Sequence, residues 1–209
     1  MQLFGSTDSG HSFKVRAFLL LARVPHRYHW VDLSLPREAR GAAFAAASKF
    51  GEVPALLDDD RAYCQSNAIL IHLAQKTGQF GGSPQDAAWW PGMLEWLCWE
   101  SNRIGFSLPN WRFALRHAPL AADVMAWLRQ RVLLDLQKLN QALAQQAFLL
   151  PCGPSIADLS CSGYLFWLDQ VGIAESDYPH LARWLDALRA LPGWTPPDQA
   201  LQALPVSES

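Results

Sequence analysis

The sequence predicts two unlike parts, an α/β unit of order βαβαββα over residues 1–79 and an all-helical region over residues 89–209, joined by a linker at 80–88. Three observations carry this reading. Short apolar strands alternate with helix-length segments in the first part, whereas after it every apolar run advances in steps of three and four residues. Between the two lies TGQFGGSPQDAA (77–88), in which glycines, a proline and polar residues separate strongly apolar segments. Nine of the ten tryptophans follow Ala88 and only Trp30 precedes it, which predicts separate cores.

Taken in order, MQLFG is a short apolar strand and Ser12 to Ala22 is long enough for a helix. VPHRYHWVDL reads as a second strand, and the alanine-rich stretch from Arg37 to Ala47 as a second helix. FGEVPALLDDD gives a turn, a proline and a third strand, and RAYC a fourth. SNAILIHLAQKTG is a helix with Ser66 as N-cap and Gly78 as stop. Beyond the linker, Ala87 to Gly105 and Leu120 to Ala147 carry core-facing stripes, the second through Val124, Leu128, Val132, Leu136, Leu139 and Leu143. In SIADLSCSGYLFWL, Ser155 and Asp158 have capping-box spacing, a structural role. A last helix runs from Pro179 to Leu191, and the tail from Pro192 is too proline-rich to continue it.

Composition narrows the function. Half of the 209 residues are hydrophobic, 17% are charged, and the net charge of -2 leaves no cationic surplus to neutralise a phosphate backbone, so nucleic acid is not an expected partner. No apolar run reaches the roughly 18 residues of a membrane span, and the first residues do not form a signal peptide, so a cytoplasmic protein without a membrane partner is expected. Cys64, Cys98, Cys152 and Cys161 form no CxxC and have no histidine pair at zinc spacing, which predicts free thiols and no metal.

Three short segments carry chemistry. A proline at a strand entrance, as in Val53-Pro54, has no N–H to lose, and a cis bond there would turn the Val53 N–H and C=O outward to pair with an extended peptide. Gln65-Ser66 opens a helix, where free N–H groups and the dipole favour a carboxylate, and the pair suits an amino-acid terminus. Ser9-Gly10-His11 opens another helix, a place that stabilises a thiolate.

The βαβαββα order with SGHSFKV, FGEVPAL and QSNAILIHLA, followed by a helical second half, resembles the glutathione S-transferase family, in particular bacterial-type members with serine at the thiol-activating position. The resemblance implies a thioredoxin-like domain that binds glutathione as co-substrate, a helical domain supplying a hydrophobic pocket, and a homodimer. It also implies that Val53, before a cis Pro54, pairs with the cysteinyl part of glutathione, and that Gln65 and Ser66 hold the γ-glutamyl end. Ser9 would direct its hydroxyl at the sulfur, with His11 as its rival at a position where some bacterial relatives have asparagine. Arg37 is a candidate for the glycyl carboxylate. Trp99, Arg103, Phe106 and Trp111 are candidates for the second-substrate pocket, and Arg103 needs a partner, either Glu100 or a bound anion.

Two departures stand out: Gly10 where proline is frequent, and Ser48-Lys49 where an Asn-Pro pair is common. The expected activity is attack of the glutathione thiolate on a hydrophobic small-molecule electrophile. The alternatives are glutathione-dependent disulfide or peroxide reduction, isomerisation, or a non-catalytic binding module of the same fold.

Overall fold

In a computed structural model of the chain, described over residues 1–202, a thioredoxin-like sheet with its helices precedes an all-helical second part. Strands β1 (Gln2–Gly5), β2 (Arg27–Trp30), β3 (Ala55–Asp58) and β4 (Arg61–Cys64) lie in the order β2-β1-β3-β4. β1 and β2 are parallel, with Leu3 opposite Tyr28, and the other two pairs are antiparallel, with Leu56 between Leu3 and Tyr63. Parallel neighbours need a crossover, and helix α1 (Gly10–Leu21) supplies it. Alternation along each strand then sets the two faces: Leu3 and Leu56 pack with α1 and helix α3 (Ser66–Thr77), while Phe4 and Ala55 pack with helix α2 (Ala42–Ala47).

The alanine-rich stretch does not form the single helix expected for 37–47. A 3₁₀ turn at Arg37–Ala39 is separated from α2 by Gly41, whose φ of 92° lies in the left-handed region and interrupts the helix. Ser66 is not the cap of α3 either. Gln65 holds that position with φ 69° and its side chain makes no capping bond, so among the described residues the opening N–H groups of the helix have no side-chain cap. Gly78 ends α3 in the left-handed conformation, as its residue type predicts.

The second part contains α4 (Trp90–Asn102), α5 (Ile104–Arg116), α6 (Ala122–Ala142), α7 (Ile156–Ser162), α8 (Pro179–Arg189) and the short α9 (Pro197–Ala200). The helix expected over 87–105 is a 3₁₀ turn at Pro84–Trp89 followed by α4, which stops at Asn102. Arg103 turns the chain sharply (φ −122°, ψ −106°), and α5 continues through Pro109, a residue that reads as a helix breaker. The helix that Ser155 caps ends at Ser162, before a 3₁₀ segment in which Trp167 is non-helical. Val124, expected in the core stripe of α6, is exposed near the start of that helix, whereas Leu128, Val132, Leu136 and Leu139 are buried.

The capping box at the start of α7 is formed in full, and the buried Asp158 also accepts hydrogen bonds from the Leu149 N–H (2.8 Å) and Trp184 Nε1 (2.9 Å). Separate cores are not found. One buried cluster runs from Leu3 through α1, α3, α4, α6, α7 and α8 to Leu201, and the second is a small group around Phe44 beneath α2. The tryptophans bias composition without dividing the interior, because α1 and α3 present apolar side chains to α7 as well as to the sheet. Of the expected helical region 89–209, residues 203–209 lie outside the described residues.

Candidate active site

The sheet brings the three chemistry-bearing segments to one end of the molecule. A cavity of about 370 Å³ opens between the Val53-Pro54 turn, the start of α3, the first turn of α1 and the α4–α5 junction. Val53, Pro54, Gln65, Ser66 and His11 line it together with Phe106, and the Val53–Pro54 peptide is cis. Phe106 and Pro109 of α5 add apolar surface to a lining that includes the polar residues at the start of α3.

Other expected residues lie elsewhere. The Ser9 Oγ accepts a hydrogen bond from the Ser12 N–H (3.1 Å) as the cap of α1, and Ser9 is not among the lining residues. Arg37 is exposed and lies against Gly51, outside the cavity lining. Trp99 packs edge-on to Trp96 with ring centres 5.4 Å apart, and Trp111 is buried in the core; neither lines the cavity. Arg103 also points away, its Nε and Nη2 donating to Asp135 Oδ1 of α6 at 2.9 and 2.8 Å. Its side-chain partner in the structure is therefore Asp135 and not Glu100.

The partner of Glu100 is a residue that sequence reasoning missed. Lys14 is buried on α1, and its Nζ donates to Glu100 Oε1 (2.9 Å), Asn67 Oδ1 (2.8 Å) and Ser160 Oγ (3.2 Å). Asn67 Nδ2 in turn donates to Glu100 Oε2 at 2.9 Å. Burial works against the Glu100 carboxylate, but Lys14, His11 and these hydrogen bonds outweigh it and hold its pKa below the ordinary value. Burial pushes Lys14 down while Glu100 pulls it up, so the ion pair is what keeps the charge in the interior. The available signal was a lone lysine within the apolar run SFKVRAFLLLA, which cannot stay buried unpaired.

Glu100 and Asn67 both line the cavity, so this network forms part of its wall. His11 stands beside it with Nδ1 3.9 Å from Glu100 Oε1. Burial, reinforced by the charge of Lys14, lowers the His11 pKa to about 4 against the opposing pull of Glu100, so the imidazole is neutral at pH 7.

A second clamp was also missed. Arg112 of α5, stacked over Trp167 at 4.6 Å, donates from Nη1 to the Asp8 carbonyl and from Nη2 to Asp8 Oδ1, both at 3.0 Å. It fixes the loop that leads into Ser9 and His11 from 104 residues away along the chain. Gln65 Nε2 donates to Glu52 Oε2 at 3.2 Å, which adds a further carboxylate to the cavity. All four cysteines are free, and among the described residues no cluster suited to a metal occurs. No described helix is long and apolar enough to cross a membrane.

Comparison with known proteins gives this arrangement a family. Residues 8–76 match the model of the glutathione S-transferase N-terminal domain, and residues 122–187 that of the C-terminal domain. The disulfide-bond oxidoreductase YfcG of Escherichia coli (strain K12) is 29% identical over 202 residues, covering 90% of this chain and 89% of that protein. A crystal structure of a possible glutathione S-transferase from Rhodopseudomonas palustris is 30% identical, with a TM-score of 0.76 over 94% of this chain and 97% of its own. A glutathione S-transferase from Xanthobacter autotrophicus Py2 is 28% identical, with a TM-score of 0.80 over 96% and 99%. The chain belongs to the glutathione S-transferase family.

Proposed function

We propose that this protein binds glutathione in the cavity and presents its thiolate to a hydrophobic electrophile, as a glutathione transferase. The observation that carries the reading is the meeting of Val53, Pro54, Gln65, Ser66 and His11 in one cavity that Phe106 and Pro109 also line. Its volume is in the range of small-molecule sites. In this reading the free N–H groups at the start of α3, with Ser66, take the γ-glutamyl carboxylate, and Gln65 with Glu52 takes the ammonium. The Val53 backbone pairs with the cysteinyl unit. Arg37, exposed beside Gly51, answers the glycyl carboxylate by charge alone.

His11 rather than Ser9 faces the sulfur, because His11 lines the cavity and the Ser9 hydroxyl caps α1. The electrophile sits against Phe106 and Pro109. Thiolate stabilisation and proximity are then the sources of rate. The exposed apolar side chains Leu94, Phe113, Trp127 and Leu134 on α4 to α6 fit burial in a homodimer, read by light scattering as twice the chain mass.

The test is a conjugation assay with glutathione and an aryl halide. Turnover that saturates in glutathione and falls at least about tenfold in His11→Ala supports the reading; absence of saturable glutathione binding removes it. The relation to the E. coli disulfide-bond oxidoreductase favours a second reading, reduction of a small disulfide in which two glutathione molecules are oxidised to supply both electrons. Disulfide turnover exceeding conjugation would select it.

A further inference from the structure

The buried Lys14–Glu100 pair has no part in the chemistry just described, and its Glu100 Oε1 lies 3.9 Å from His11 Nδ1. We propose that Glu100 is a positioning residue: it fixes the His11 imidazole with Nδ1–H directed at Oε1, so that Nε2 presents its lone pair to the cavity as acceptor of the glutathione thiol proton. The inference rests on the reading of His11 as the residue that faces the sulfur.

Three observations carry it. The His11 Nδ1 is buried and has no hydrogen-bond partner among the described residues, while about a third of the side chain remains exposed. Its nearest charged oxygen is Glu100 Oε1, at 3.9 Å. At 3.9 Å the two do not hydrogen-bond in the unliganded site, but the carboxylate charge favours the proton on the nitrogen that faces it, and a bond between them requires Nδ1–H because an ionised carboxylate only accepts. Catalytic hydrogen bonds in unliganded sites are often long and tighten on binding.

The carboxylate itself cannot drift. Lys14 Nζ holds Oε1 at 2.9 Å, Asn67 Nδ2 holds Oε2 at 2.9 Å, and Ser160 and Ser101 hydrogen-bond to Asn67 in turn. Gly105 closes the remaining side: a Cβ there would fall 2.1 Å from Oε1, so the α4–α5 turn is shaped around this oxygen.

The charges facing His11 explain why the acceptor is free at rest. Lys14 comes from its own helix, Glu100 from α4, and the Tyr164 ring lies edge-on at 5.1 Å with a phenol whose pKa burial raises, so that it stays uncharged. Lys14 largely cancels Glu100 until a thiolate forms, and the new negative charge then favours imidazolium. In the step itself the S–H bond breaks, the proton passes to Nε2, and the electron pair stays on sulfur to attack the electrophile. The proton leaves to solvent or to the departing group.

The first measurement is the His11 tautomer, read by long-range ¹⁵N–¹H correlation in the free wild-type protein. The inference expects Nδ1–H, and a predominant Nε2–H overturns it. The second is the pH profile of the thiolate absorbance of bound glutathione in Glu100→Gln. The expected shift is upward by about one unit, a tenfold loss of thiolate near neutrality, with affinity within about threefold. An unchanged profile in folded Glu100→Gln also overturns it. If glutathione fails to bind the wild type, the functional reading falls whatever the tautomer; if it binds and the tautomer is Nε2–H, only this inference falls.

Discussion

Ser9 and His11 are two residues apart and are placed differently, Ser9 as the cap of α1 and His11 in the cavity lining. Ser9 Oγ satisfies the Ser12 N–H at the start of α1, so Ser9→Ala is expected to cost about 1 kcal/mol in urea unfolding and to leave the pKa of bound glutathione unmoved. A raised thiol pKa with unchanged stability would instead make the serine the activator. His11 predicts a pH effect. Its folded-state pKa is depressed from 6.5 to about 4, so as the pH falls the unfolded chain takes up the proton first. Stability is therefore full above pH 6.5, declines between about 6.5 and about 4, and is level below for this group. His11→Gln should reduce that slope by the His11 share, leaving what His26 and His29, also lowered by burial, contribute, and urea midpoints across the range would show it. Ser9 and His11 were both legible as candidates from SGHSFKV, but which of them lines the cavity was not. It depends on where the first turn of α1 places each side chain, a matter of backbone geometry.

Among the elements, α1 and the junction of α4 with α5 set the site. Gly10, which departs from the family's frequent proline, is explained by packing: a Cβ there would lie 2.5 Å from Tyr164 Cδ2 and 2.7 Å from the Gly163 carbonyl. Gly10→Ala should therefore push α1 away from the end of α7 and cost more than about 1 kcal/mol, and it should weaken glutathione binding with it. A neutral Gly10→Ala would show that the loop, not the helix contact, needs the glycine. The strands and the capping box were readable from alternation and from the Ser155–Asp158 spacing. The α4–α5 break was not, because Arg103 and Pro109 reverse the usual cues. The arginine turns the chain while its charge goes to Asp135, and the proline sits inside a helix.

For the whole molecule, one buried cluster joins the sheet's inner face to the helical part, so the cavity lies over a continuous interior and not over a hinge between two cores. The tryptophan distribution misled here because composition records which residues fill a core and not how many cores there are. The overall order, sheet first and helices after, was legible because periods of two and of 3.6 residues occupy separate stretches of the sequence. Long-range pairs such as Lys14 with Glu100 and Arg112 with Asp8 were not, since each depends on helix placement across the molecule. Glutathione held in this cavity as its thiolate must ionise more readily than the free thiol. Titrating the ultraviolet absorbance of the bound thiol with pH tests it most directly. The expected result is saturable binding and a bound thiol pKa at least about one unit below the ordinary thiol value of roughly 8.5. Saturable binding with an unshifted thiol, or no binding at all, would contradict it.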